Sequence, residues 1–327
     1  MALQVLKHQL LHRPPYPTTS FAGQTVLVTG TNVGLGHEAV KHFLRLGAAR
    51  IIATVRSTAL APSLPGPAPS AVEFWPLDYT SPASIRAFAA RAAAELPRLD
   101  RVVLSAGVAA TRWEVCEGED GVETSVAVNV VGTALLAVLL LPLLRRSARR
   151  WNVDDAVLAV VSSGAHAYAS FPEREAESIL GALNDPLTAN MAERYQTTKL
   201  LQLLYVRELA ARTAALHPLV TIHALDPGFC ATRLTRHVGG PLALLLAVMK
   251  AAVAWTAEQG GRALVEASTA AGRGVHGGFW SVVGTDVSPF VTSTEGQEAQ
   301  QKIWAELVEK LDSLAPGAVA AALESDL

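Results

Sequence analysis

Residues 25–47 read TVLVTGTNVGLGHEAVKHFLRLG, and the order of residue types in this stretch decides the fold. A β-branched apolar run at 26–28 predicts a strand, and Thr29-Gly30 opens a glycine-spaced turn. Leu35, Ala39, Val40, Phe43 and Leu44 then recur at helical spacing. Gly30, Gly34 and Gly36 stand where a chain leaving a strand must turn sharply, approach a bulky anion and let the next helix pack closely on the sheet. Asn32 and Leu35 belong to the same turn. Free backbone N–H groups and the positive end of the helix dipole favour a phosphate at this point. The glycines alone also suit an ordinary tight turn, so the rest of the chain has to discriminate.

The chain has 327 residues, half of them apolar and 17% charged, which suits one large α/β domain with a sizeable core. Net charge is −2 and the basic residues form no long run, so nucleic acid is not an expected partner. The densest basic cluster, Arg145, Arg146, Arg149 and Arg150, reads as the solvated C-terminal end of a helix. Cys116 and Cys230 lie far apart, which argues against a disulfide framework or a structural zinc. A reducing compartment, the cytoplasm, is the expectation.

Residues 1–17, MALQVLKHQLLHRPPYP, predict a short amphipathic helix ended by Pro14, Pro15 and Pro17 rather than a secretory segment. The apolar stretch 238–257 approaches spanning length but contains Gly239, Gly240, Pro241 and Lys250. No transmembrane span is expected, and peripheral membrane association stays open. Residues 135–144 read as a core helix.

Further strands are predicted at 51–55, 72–77, 101–104, 157–161, 219–225 and 278–283, about seven in all with the first. Most carry a marked residue at the C-terminal end. Arg56 follows the second strand and Asp78 the third. Ser105-Ala106-Gly107 follow the fourth, Ser162-Ser163 the fifth and Asp226-Pro227-Gly228 the sixth. Asp78 also reads as a cap for a helix over 81–96. The four prolines in 58–70 exclude a full crossover helix there. Other helices are predicted at 122–144, which contains Asn129, around Tyr195 to Lys199, at 258–271 and at 293–311 with Trp304 and Leu307 on its packed side.

In chain order, the T-G-x-x-x-G-x-G of residues 29–36, the N-V-x-G run at Asn129, the strand-end Ser163, Tyr195-x-x-x-Lys199 and Pro227-Gly228-x-x-x-Thr232 resemble the signature of the short-chain dehydrogenase/reductase family. The tail resembles those of reductases from fungal secondary metabolism, with retinol-dehydrogenase-like members as further relatives. The resemblance covers residues 22–285 and implies a single doubly wound, Rossmann-type α/β domain with a mostly parallel sheet. An extension, 1–21, precedes it and a helical one, 286–327, follows. An insertion at 165–190 and a substrate loop at 229–257 are expected within it.

The resemblance further implies a nicotinamide cofactor. Gly30, Asn32, Gly34, Leu35 and Gly36 would hold its pyrophosphate side, Asp78 its adenine, and Ser105, Ala106 and Gly107 the neighbouring edge. Pro227, Gly228 and Thr232 would surround the carboxamide. Ser105 stands where the family usually has Asn, with shorter reach to tie neighbouring strands. An acid at the end of the second strand favours NAD(H), whereas Arg56 favours NADP(H). Ser163, Tyr195, Lys199 and Asn129 form the implied catalytic set, with Tyr195 and Lys199 also binding the cofactor and Asn129 holding a water near Lys199. Members often dimerise through the helices carrying Asn129 and Tyr195. The insertion before Tyr195 is expected to bear on that surface, leaving monomer and homodimer both open.

The chemistry is consistent with this set. Tyr195 and Lys199, four residues apart, share one helix face. Reducing a carbonyl places negative charge on oxygen, which needs a donor already in position. Ser163 would hold that oxygen and Tyr195 supply the proton, while the Lys199 ammonium is expected to lower the phenol from its ordinary value near 10. The H-E-x-x-x-H of His37, Glu38 and His42 is one residue too long for zinc on one helix face, and no G-x-S-x-G elbow surrounds Ser162 or Ser163. The expected activity is NADP(H)-dependent interconversion of a carbonyl and an alcohol on a bulky, apolar, polyketide-like small molecule. Trp113, Phe171, Phe229 and Trp255 would line its pocket or else join the core. The alternative is a nicotinamide-binding sensor or scaffold without catalysis, against which the intact Ser163, Tyr195 and Lys199 set argues.

Overall fold

The structure, a computed structural model, describes residues 2–64, 71–116, 121–153, 155–232, 234, 240–284 and 286–324. Helix α1 (Ala2–Leu11) precedes strand β1 (Thr25–Val28), whose side chains are all buried, as a parallel strand covered on both faces requires. Gly34, at φ 76°, starts α2 (Leu35–Arg45), which buries Ala39, Val40 and Phe43. β2 (Arg50–Val55) and β3 (Val72–Pro76) follow. Between them residues 58–64 hold a single 3₁₀ turn, and residues 65–70 of the proline-rich segment lie outside the described residues.

Helix α3 (Pro82–Glu95) is capped by Ser81, whose hydroxyl accepts from the Ser84 amide, with Pro82 in the first turn. Asp78 is therefore not the cap. Its carboxylate instead accepts from the Thr80 amide and hydroxyl and closes the preceding turn. After β4 (Arg101–Leu104) comes α4 (Thr124–Val126), a π-helical turn at Ala127–Gly132, and α5 (Thr133–Trp151). This continuous run is long and apolar enough to cross a membrane, but almost all of it is buried, so it is a core helix.

β5 (Val157–Val161) leads through two 3₁₀ turns to α6 (Ile179–Leu183) and α7 (Arg194–Thr213). β6 (Thr221–Asp226), α8 (Gly240–Val253), α9 (Ala257–Thr269), β7 (Phe279–Ser281), α10 (Pro289–Thr292), α11 (Thr294–Leu314) and α12 (Ala318–Leu323) complete the chain. The apolar stretch 238–257 thus forms a helix too short to span a bilayer, and residues 238 and 239 lie outside the described residues.

The seven strands form one parallel sheet in the order β3-β2-β1-β4-β5-β6-β7. Helices α2 and α9 pack together over one face. On the other, α3, α5 and α7 cover the larger core, with α11 and α12 outside them. Strand order reverses between β1 and β4, and that reversal opens a crevice at the C-terminal ends of the strands.

Three expectations change. Arg145 is not a solvated helix end: it is buried one and more turns before Trp151 and donates to Ala322 O (2.6 Å) and Ala321 O (2.8 Å), tying down α12. The surface of α5 and α7 is covered by α11 and α12 as well as by the first 3₁₀ turn of the insertion, which packs on α7. The rest of the insertion packs on α11, where the Glu306 carboxylate accepts from the Ile179 and Leu180 amides and the Ser178 hydroxyl. Phe171 and Trp255 are buried, Phe171 edge-on to Phe290 and Trp255 donating to Gln9 O, so neither lines an open pocket.

Candidate active site

The loops after β1, β4, β5 and β6 converge on the crevice. Thr29 ties the first two: its hydroxyl oxygen accepts from the Ser105 and Ala106 amides at 3.0 and 3.1 Å. This is the strand tie that the resemblance assigns to position 105, supplied from the opposite strand, so the shorter Ser105 leaves the sheet edge held. Thr54 of β2 pins the glycine turn, its hydroxyl accepting from Gly30 N and its carbonyl from Thr31 N and Oγ1.

Close approach explains two of the glycines. A Cβ on Gly30 would meet the Ala106 backbone at 2.8 Å, and one on Gly36 would meet Gly30 O at 2.7 Å. Gly34 differs: its Cβ would meet only Thr232 Cγ2, at 3.9 Å, and would project into the space in front of α2. A cleft of about 540 Å³ opens there, bordered by Asn32, Gly34, His37, Thr232 and Lys250. Lys250 of α8 donates to Thr232 O at 3.0 Å. A phosphate-bearing ligand fits this cradle, which combines a helix N-terminus, backbone without side chains and a lysine at the rim. Arg56 is exposed at the end of β2, and Asp78 is partly buried at the end of β3.

Ser163 leaves β5 in extended conformation, and its hydroxyl oxygen accepts from Ala165 N at 3.1 Å. His166 holds the Ser163 carbonyl. Its Nε2 accepts from Ser288 N (3.0 Å), so its Nδ1 carries the proton donated to Ser163 O (2.8 Å). Tyr195 lies in the first turn of α7, with its buried phenol close enough to Ser163 for that hydroxyl to favour the phenolate. Lys199, one turn on, places Nζ 5.5 Å from the Tyr195 ring centroid and donates to Val161 O (2.9 Å) and Gln202 Oε1 (2.8 Å). Ser162 Oγ donates to Lys199 O and fixes α7 against the end of β5.

Burial governs the charges here. It pushes the Tyr195 phenol well above its usual value; the Ser163 hydroxyl opposes the rise and Asp226 adds to it. Burial alone pushes Lys199 down to about 7. The expected lowering of the phenol by the lysine is therefore not the outcome in this cleft, because desolvation disfavours the charged form of both groups.

Asn129 sits in the π-helical turn, fully buried. Its side chain accepts from Val108 N (2.9 Å) and donates to Val108 O (2.8 Å) and Thr198 Oγ1 (3.0 Å). Its main-chain oxygen accepts from Gln202 Nε2 at 2.7 Å, so an amide side chain links Asn129 to Lys199. After β6, Gly228 at φ 78° turns the chain beneath Trp255, where a Cβ would meet the indole at 2.8 Å. Gln9 of α1 grips the next residue, donating to Phe229 O (2.8 Å) and accepting from Phe229 N (3.3 Å).

The structure thus brings Ser163, Tyr195, Lys199 and Asn129 together, with the glycine turn, Gly107 and Pro227 to Thr232 around the same crevice. Sequence reasoning missed Gln202, Thr29, His166 and Gln9. Gln202 had a signal, as the lone polar residue in the apolar run LLQLL that follows Lys199. Gln9 had none, because its partner lies 220 residues away. No cluster of metal-ligating side chains occurs among the described residues, and both cysteines are free.

Residues 24–169 match a family model described as short chain dehydrogenase. The chain is 38% identical over 325 residues to the short chain dehydrogenase/reductase dmxR8 of a Cryptosporiopsis species, covering 95% of this chain and 98% of that protein. It is 40% identical over 304 residues to the short-chain dehydrogenase/reductase phmF of Phaeosphaeria nodorum, covering 90% and 88% respectively. Among solved structures, a Mycobacterium paratuberculosis protein superposes with a TM-score of 0.63 at 24% identity, covering 90% of this chain and 96% of its own. The RhlG/NADP complex of Pseudomonas aeruginosa superposes with a TM-score of 0.59 at 24% identity, covering 82% and 98%.

Proposed function

The chain belongs to the short-chain dehydrogenase/reductase family, and from that premise we propose that it is an NADP(H)-dependent oxidoreductase interconverting a carbonyl and an alcohol on a bulky, apolar small molecule. One observation carries the reading: Tyr195 stands one helical turn from a buried Lys199, whose Nζ lies 5.5 Å from the phenol ring centroid, beside the strand-end Ser163 in a crevice that begins at the glycine turn.

The nicotinamide, when bound, supplies or accepts the hydride. The protein's groups handle the oxygen and its proton. Ser163, held by His166 through its carbonyl, donates a hydrogen bond to the substrate oxygen. Tyr195 is kept protonated by burial, which suits it to give a proton to an oxygen that has just gained charge. Lys199, able to exchange protons near pH 7, then restores the phenol. Two of its three N–H bonds are taken by Val161 and Gln202, which leaves one donor for a ligand hydroxyl.

The NADP(H) preference rests on Arg56, an exposed cation where an acid would serve the ribose of NAD(H). The substrate class rests on exposed Leu244, Val248 and Met249 of α8, on half-buried Phe229 just after β6 and on half-buried Trp113 in the segment after β4. A product of fungal secondary metabolism, polyketide-like, matches that surface. The test is a side-by-side titration with NADPH and NADH, followed by tryptophan fluorescence, in the native chain and in Arg56→Asp. Tighter NADPH binding that the variant loses is the expected result; equal binding of both nucleotides removes the assignment to Arg56. Tyr195→Phe should retain nucleotide binding and lose about 10²-fold or more in turnover. An active Phe variant overturns the proposed proton donor.

A further inference from the structure

Gln202 joins Lys199, which the mechanism uses, to the main chain of Asn129, and is itself fully buried. Its orientation is unambiguous. An ammonium only donates and a main-chain carbonyl only accepts, so the Gln202 oxygen must face Lys199 Nζ (2.8 Å) and its nitrogen must face Asn129 O (2.7 Å). Asn129 O is available to it because the helix is locally π: the Thr133 amide turns to Val130 O. Gly132 permits that geometry, since a Cβ there would lie 2.8 Å from both Tyr79 O and Ala127 O.

We propose that Gln202 is a positioning residue for Lys199, a fixed amide bridge from the Asn129 carbonyl that keeps the buried amine charged and aims its remaining N–H bond at the ligand. This deepens the oxidoreductase reading and rests on it for its catalytic consequence, though not for the effect on Lys199 itself.

The argument is electrostatic. The polar atoms recorded against Lys199 Nζ are two neutral carbonyl oxygens, Val161 O from β5 and Gln202 Oε1 from its own helix. The Tyr195 phenol is the titratable group beside it on α7. Asp226, at the end of β6, acts on Tyr195 and His166, and no charged group contributes to the titration of Lys199. A buried cation held only by dipoles is sensitive to each of them, and loss of one acceptor returns part of the desolvation penalty. The far anchor matters equally. Without Asn129 O, the Gln202 amide is free to rotate and its oxygen is no longer directed at Nζ.

The chain has six lysines, so selective ¹³Cε-lysine labelling gives a sparse NMR spectrum, with Lys199 identified by its loss in Lys199→Met. The titration midpoint of Lys199 is measured in the native chain, Gln202→Leu, Gln202→Asn and Gln202→Glu. Leu keeps the volume and removes both hydrogen bonds; it should lower the midpoint by about one unit or more. Asn, one methylene short, cannot span both partners and should lower it as well, which preserves the test if the Leu variant does not fold. Glu sets a carboxylate beside the amine and should raise it. The Lys199-dependent limb of the kcat/KM pH profile should move in the same directions, with turnover at pH 7 falling roughly ten- to a hundredfold in Leu.

A Lys199 midpoint unmoved in both the Leu and Asn variants overturns the proposal and leaves Gln202 a packing residue. If the native chain neither binds a nicotinamide nucleotide nor reduces any carbonyl, the oxidoreductase reading fails. The NMR shifts would still report whether Gln202 governs Lys199.

Discussion

Gly36 shows how little freedom single residues have in the crevice. Its missing side chain lets α2 sit on the turn, and the nearest obstruction is backbone, which cannot move aside. Gly36→Ala should therefore separate α2 from β1 and weaken nucleotide binding at least tenfold, as a fluorescence titration would measure, with a stability loss of about 1–3 kcal/mol. His166 sets a pH dependence. Burial holds it below 6.5, so the unfolded chain binds more protons than the folded one as pH falls through that value. Stability should fall below pH 6.5 by up to about 1.4 kcal/mol per unit for each such histidine. Urea unfolding at pH 7 and pH 5 would measure this, and His166→Gln should flatten part of the slope.

At the scale of elements, α4 and α7 are joined by charge. Glu123 caps α4 through the Ser125 and Val126 amides, and its other contact is the buried guanidinium of Arg194, 3.6 Å away. Burial lowers Arg194, and Glu123 and then Glu173 oppose that fall. Removing the carboxylate leaves the guanidinium without its nearest counter-charge and the helix without its cap. Glu123→Ala should cost about 3–5 kcal/mol, visible as a lowered urea midpoint, and more than a surface Glu→Ala control. The glycine turn, the strand ends and the Tyr195 helix were legible from sequence because each depends on neighbours within a few residues. The π-helical turn was not, since α and π segments share one apolar pattern, and the close approach of Gly132 to Tyr79 is a contact distant in the chain. Phe171 and Trp255 stayed undecided between pocket and core for a related reason: their cover comes from Phe290 and Gln9, distant in the chain.

The whole molecule carries its own covering for the helices that related chains often use for dimerisation. α11 lies on α7, α12 lies on α5, and Arg145 locks the last helix in place. The expected oligomeric state is a monomer, and light scattering coupled to size exclusion would return a mass near 34.4 kDa. A mass of twice that value, unchanged by Arg145→Met, would place the dimer contact elsewhere. The sheet and its layers follow from the order of strands and crossovers, which sequence patterns carry. The docking of the tail does not, because Arg145 reads as a surface base until its carbonyl partners are known.

Gln9 gives the loop after β6 a dependence on the order in which the chain is made. Gln9 precedes its partner Phe229 by 220 residues, so it is synthesised well before it. At ~5–20 residues per second, roughly ten to forty seconds of synthesis separate the two. For that interval Gln9 has no Phe229 to grip, and the loop after β6 gains these two hydrogen bonds only when a segment made earlier returns to it.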